Sequence, residues 1–139
     1  MGLYAELLAK EMGAYQDPYS DFGRLTNEIW RAIRLVVDTG LHANGWTEQQ
    51  AVEYFLANSA VAEGHVRSEV RRYLVWPGQA TAYRVGMLKF VELREHAKRE
   101  LGPKFDICQF HDTVLGSGAL PLSLLEQRVN DWIAAQKAS

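Results

Sequence analysis

The chain has 139 residues, 47% of them hydrophobic and 23% charged, with a formal net charge of −2 from 15 basic and 17 acidic side chains. That size and balance suit one ordinary globular domain rather than a disordered chain, and they lack the basic stripe that nucleic-acid binding requires. The single cysteine, Cys108, excludes an internal disulfide and a cysteine-based zinc cluster, and no apolar run is long enough to span a membrane.

Leu3 to about Gly13 reads as a helix with Leu3, Leu7 and Leu8 on one side, starting without a capping residue. Its opening has no basic region before the apolar residues and contains Glu6 and Glu11, so it does not read as a signal peptide. A cytoplasmic location is the expectation. Gln16 to Asp21 looks turn-like, and Ser20 or Asp21 is placed to cap a second helix running to about Gly40. Leu25, Ile29, Ala32, Ile33 and Val36 give that helix a broad apolar face. Arg34, Asp38 and His42 follow at intervals of four and share one face if the helix continues past Gly40.

Thr47 and Gln50 form a capping box for a third helix, with Trp46 and Ala51 in the staple positions. A fourth helix, from about Ala60 to Leu74, carries three stripes. Ala62, Val66, Val70, Tyr73 and Leu74 are apolar. Glu63, Arg67 and Arg71 suit a solvated surface. His65, Glu69 and Arg72 form the third.

The stretch from Pro77 to Gly102 reads as the longest well-delimited helix, with Pro77 in its first turn and Gly102-Pro103 as its stop. Tyr83, Met87 and Phe90 recur on one side, Glu92/His96 and Glu95/Arg99 stand four apart, and the other helices are expected to pack around it. Asp106 with Gln109 caps a sixth helix, stapled by Phe105 and Phe110. Pro121 opens a seventh, with Leu124, Leu125, Val129, Trp132 and Ile133 inward and a tail expected to fray. No stretch alternates as a strand does. The pattern predicts an all-α fold, an orthogonal bundle of about seven helices forming a single domain over 1–139.

Catalytic motifs are sparse. There is no HExxH, no glycine-rich phosphate loop, and the four histidines never pair at helical spacing. Asp38 and His42 could form a base and its orienter, or a structural hydrogen bond at a helix end. His111 sits among Phe105, Phe110 and Val114. Glu69, Arg72, Gln79 and Tyr83 are suggestive together, because two helices meeting at Trp76-Pro77 can bring them to one cleft. A tyrosine hydroxyl can donate to a developing oxyanion and an arginine can grip a carboxylate bidentately. The same four could equally make a buried polar network that sets the helix–helix angle.

The segments GLYAELLAKEMGAYQDP, RLVVDTGLHANGWT, EVRRYLVWPGQATAYRVG and LGPKFDICQFHDTVLGSGALPLSLL occur in the order seen in the bacterial domain-of-unknown-function 885 family. The chain resembles the C-terminal part of that family over Gly2 to about Trp132. Such proteins look similar to HExxH zinc metallopeptidases, with the zinc helix, in a form closer to HExxPGH, upstream of this region. A Glu-Gly-Trp segment, whose glutamate looks like the third zinc ligand, then precedes the equivalent of Gly2. Met1 stands in place of its tryptophan, so the resemblance implies a truncated relative without its zinc ligands.

By the same resemblance, Tyr83 or Tyr73 is the candidate oxyanion donor, His42 and Asp38 lie at or behind the cleft, and Arg72, Gln79 and His111 line it. Zinc is implied for a full-length member, and no cofactor for this chain. Without the metal there is no activated water. Three roles compete: a catalytically silent fragment, half of a split peptidase completed by the missing N-terminal portion, and a small-acid-binding or scaffold module that self-associates. A peptide substrate is implied for the full-length form only; neither nucleic acid nor membrane is an expected partner. The split-peptidase role predicts an exposed apolar surface beside Leu3, Leu7 and Trp30.

Overall fold

The computed structural model describes residues 2–138. They form seven α-helices and two 3-10 turns, with no strand among them. The helices are α1 (Gly2–Glu11), α2 (Pro18–Ala43), α3 (Glu48–Asn58), α4 (Glu63–Val75), α5 (Ala82–Leu101), α6 (Ile107–Leu115) and α7 (Leu122–Ala138). The fold is therefore all-α. Packing divides the chain into two compact units, Met1–Met87 and Leu88–Ser139, with the division inside α5.

In the first unit the central element is α2, which packs against α1, α3, α4 and the 3-10 turn Gln79–Thr81. At 26 residues it is the longest helix, so it takes the organising place expected of the stretch after Pro77. That stretch is not one helix. Gly78 adopts a left-handed conformation (φ 79°), a 3-10 turn follows, and the α-helix starts only at Ala82.

The start of α2 also lies earlier than expected. Asp17 is its cap, accepting from the backbone N–H of Tyr19 at 2.8 Å and of Ser20 at 3.1 Å, and Pro18 occupies the first turn. There its missing N–H would have had no partner in any case. The C-terminal end runs past Gly40. This glycine makes room instead of terminating: a Cβ there would lie 2.4 Å from the Trp46 ring.

Ile33, Val37, Val52, Phe55, Val66, Val70 and Tyr73 form the core of this unit. The Thr47–Gln50 capping box is present in full, as expected. The other side of α2 is not buried. Phe22, Leu25, Ile29 and Val36 are 39% to 66% exposed. Only part of the apolar face inferred for α2 is therefore core. Of the residues expected beside an exposed apolar surface, Leu3 is buried.

In the second unit, α6 and α7 pack together. Asp106 caps α6 by accepting from the Gln109 N–H at 2.8 Å. The rings of Phe105 and Phe110 lie 6.2 Å apart, and both meet Trp132. Lys89 on α5 bridges Glu92 and Glu126, each at 3.0 Å. On α5 the ion pairs close at a spacing of three, Lys89–Glu92 and Glu95–Lys98, rather than as Glu92/His96 and Glu95/Arg99. Leu124 is half exposed, and the tail expected to fray continues as helix to Ala138.

Candidate functional site: an arginine-rich cleft in the first unit

Helical periodicity on α2 sets Trp30, Arg34, Asp38 and His42 four apart on one side, with Arg31 adjoining. On α4 the same rule aligns His65, Glu69, Arg72 and Tyr73. The 3-10 turn then supplies Gln79, and the first turn of α5 supplies Tyr83. Between these elements lies an open cleft of about 560 Å³, whose polar wall holds Arg31, Arg34, Glu69, Arg72, Gln79 and Tyr83. Thr26, Asn27, Trp30, Val61 and His65 complete its lining.

A hydrogen-bonded chain ties together Arg34, Gln79, Arg72 and Glu69 of this wall. Arg72 donates to the Glu69 carboxylate from Nε at 3.2 Å and from Nη2 at 2.7 Å, the forked geometry that arginine offers a carboxylate. The Tyr73 hydroxyl donates to the same carboxylate at 2.8 Å. Gln79 Oε1 accepts from Arg72 at 2.9 Å and from Arg34 at 3.0 Å. Arg34 is 2% exposed, and its buried Nε has no acceptor. Its guanidinium lies 5.3 Å from the ring centroids of both Tyr73 and Tyr83, and that of Arg31 lies 4.6 Å from the Tyr83 ring.

The titration behaviour follows from these contacts. The Arg72 hydrogen bonds hold the Glu69 carboxyl below its usual range, which makes it a poor base. Burial, and donation to Glu69, push the Tyr73 phenol above its usual value, so it stays neutral. Burial lowers Arg34, as do the nearby Arg31 and Arg72, yet a guanidinium starts so high that it remains a cation.

Residues 2–129 match the family model described as bacterial protein of unknown function, DUF885. The chain belongs to the DUF885 family. A solved structure described as the putative lipoprotein from Colwellia psychrerythraea is 51% identical and superposes with a TM-score of 0.94, over 96% of this chain. The chain spans only 23% of that protein's length. No curated protein gives a significant match.

Within this DUF885 segment, the residues singled out from sequence part company. Glu69, Arg72, Gln79 and Tyr83 converge on the cleft, and the first three also form the network that holds α4 to the 3-10 turn. Tyr73 is buried behind it with its hydroxyl engaged. Tyr83 is 44% exposed, and its hydroxyl makes no hydrogen bond among the described residues. Asp38 and His42 do not pair. Both Asp38 oxygens face the Gly78 N–H, and His42 Nε2 lies 3.0 Å from the Tyr73 carbonyl oxygen. His111 belongs to the second unit, on α6 beside Phe110, and is not among the cleft's lining residues.

Sequence reasoning missed Arg31, Trp30 and the burial of Arg34. Its neighbours Ile33 and Val37 are core residues, but no spacing on α2 alone marks Arg34 as buried. A zinc ion does not fit the residues present: among the described residues no three His, Cys, Asp or Glu side chains come together as a metal site. No helix among them is long and apolar enough to cross a membrane.

Proposed function

We propose that this DUF885 segment forms the peptide-binding wall of a zinc-peptidase-like protein and does not hydrolyse peptides by itself. The observation that carries the reading is the convergence of Arg31, Arg34, Arg72 and the unengaged Tyr83 hydroxyl on one open cleft. Cations of this kind bind carboxylate and carbonyl oxygens, and a tyrosine hydroxyl can donate to a developing oxyanion. No paired base and nucleophile accompany them: Glu69 is neutralised by Arg72, and Asp38 and His42 are engaged with backbone. Zinc would be held by residues outside this sequence, which lacks the HExxH-type motif of the family it resembles.

The test is a zinc-supplemented sample mixed with short peptides. Peptide binding, followed by chemical-shift changes at the Trp30 indole and the Tyr83 ring, is expected without turnover. Hydrolysis by this chain, or no shift at either residue, would overturn the reading.

A second reading, of a chain that assembles with the rest of a family fold, rests on the exposed stripe of α2. Phe22, Leu25, Ile29 and Val36 recur at alternating steps of three, four and seven, as residues on a helix–helix seam do. Spread over 14 positions, they cover about 21 Å of helix. Mixing with the complementary remainder of a family protein should give a stable complex. Failure to associate would remove this reading.

A further inference from the structure

We infer that the cleft is a site for an organic carboxylate, gripped by Arg31 and Arg34, with the acid's apolar body against Trp30 and Val61. This rests on the peptide-binding reading of the cleft and specifies which part of a ligand it recognises.

The charge balance of the cleft favours an anion. Three arginines line the cleft against one carboxylate, Glu69. That carboxylate is already occupied, by both arms of Arg72 and by the Tyr73 hydroxyl. Glu28, the next acid along α2, is taken by Arg24 and Arg84, and Asp38 by the Gly78 amide. Arg31 and Arg34 therefore have no carboxylate partner among the described residues.

The burial of Arg34 favours one too. A guanidinium taken out of water is costly unless it is paired. Arg34 is 2% exposed and has only one neutral acceptor, Gln79 Oε1, with its Nε unmatched. Two aromatic faces offset part of that cost. The Arg34 guanidinium carbon lies 5.3 Å from the centroid of each of the Tyr73 and Tyr83 rings. Arg31 approaches the same Tyr83 ring. Two like charges held against one ring, in a cleft, are a receptor for an anion.

The rest of the lining separates a carboxylate from an inorganic anion. Glu69 on Arg72 is a carboxylate seated bidentately on a guanidinium of this same wall. Trp30 and Val61 also line the cleft, and their apolar surface suits an organic body rather than a bare oxyanion. A peptide's free C-terminus would bring such a carboxylate next to an apolar side chain.

Calorimetric titration tests this with four probes: an N-acetylated tripeptide with a free C-terminal carboxylate, its C-terminal amide, succinate, and inorganic phosphate. The free acid is expected to bind about tenfold or more tighter than the amide, because a charge-assisted hydrogen bond is lost with the charge. Arg31→Gln is expected to weaken the acid by a similar factor and leave the amide unchanged. Arg34→Met should do the same; if it fails to fold, as far-ultraviolet circular dichroism would show, Arg31→Gln still decides.

Equal binding of acid and amide overturns the carboxylate site and leaves the peptide-binding wall standing. Succinate binding that depends on Arg31, with neither peptide bound, upholds the carboxylate site and removes the peptide reading. Phosphate binding as tightly as the acid, or no binding by any probe, overturns the inference.

Discussion

Both carboxylate oxygens of Asp38 face the backbone N–H of Gly78, at 3.1 and 3.2 Å across 40 residues of sequence. Asp38 is 5% exposed, so this charge-assisted contact is shielded from water. It pins the left-handed residue that starts the turn carrying Gln79, and so sets where Gln79 meets Arg34 and Arg72. Asp38→Ala should destabilise the first unit by about 1–3 kcal/mol, the cost of an unmatched buried donor. Asp38→Asn, which keeps an acceptor, should recover part of it. Urea unfolding followed at the Trp30 signal checks both.

Glu69 gives stability a defined acid limit. Arg72 hydrogen bonding lowers its folded-state pKa below the ordinary 4.5. For a carboxyl shifted in this direction, the contribution is complete above the unfolded pKa and disappears as pH falls through the lower folded value. Acid unfolding of the wild type should therefore steepen below pH 4.5, and Glu69→Gln should flatten that limb while leaving stability near neutral pH lower. Parallel curves for the two proteins would contradict this. The same substitution frees the Arg72 fork, so carboxylate binding should tighten by about several-fold.

Tyr73 limits stability at the alkaline end. Burial and its bond to Glu69 raise the phenol above the ordinary 10.0. The unfolded chain releases this proton first, so stability should decline as pH rises past 10. Tyr73→Phe should remove that decline and show no phenolate absorbance change at this position. Measured losses identical in wild type and variant would assign the decline to another group.

How much of this was readable from sequence follows the range of the interactions. The Thr47–Gln50 box and the Asp106 cap close within three residues, and the sequence carries both. The start of α2 did not, because Asp-Pro reads equally as a turn or as a cap followed by a helix's first residue; which one holds depends on what Tyr19 and Ser20 do next. Gly78 broke the expected fifth helix through a contact with Asp38, distant in sequence. Local spacing brought Glu69, Arg72, Gln79 and Tyr83 into view, but the burial of Arg34 is set by packing between α2, α4 and two tyrosine rings. No periodicity on α2 alone distinguishes it from a solvated arginine. The same limit applied to Leu25, Ile29 and Val36, apolar and helically spaced, yet exposed among the described residues.

That division of α2 into two faces gives the last prediction. Gly40 lies on the packed side, where a Cβ would come within 2.4 Å of the Trp46 ring. Gly40→Ala gains helix propensity worth about 1 kcal/mol, but it must displace an indole that also meets Tyr54 at 5.5 Å. Overpacking of this kind costs about 1–3 kcal/mol, so the net change should be destabilising, with a shift in Trp46 fluorescence. Phe55→Ala, at a position with no exposure, should cost about 3–5 kcal/mol. Ile29→Ala, on the open face at 45% exposure, should stay within about 0.5 kcal/mol in the isolated chain. If Ile29→Ala proves as costly as Phe55→Ala, the stripe is already covered in solution. Concentration-dependent melting of the wild type would then show that a second copy is what covers it.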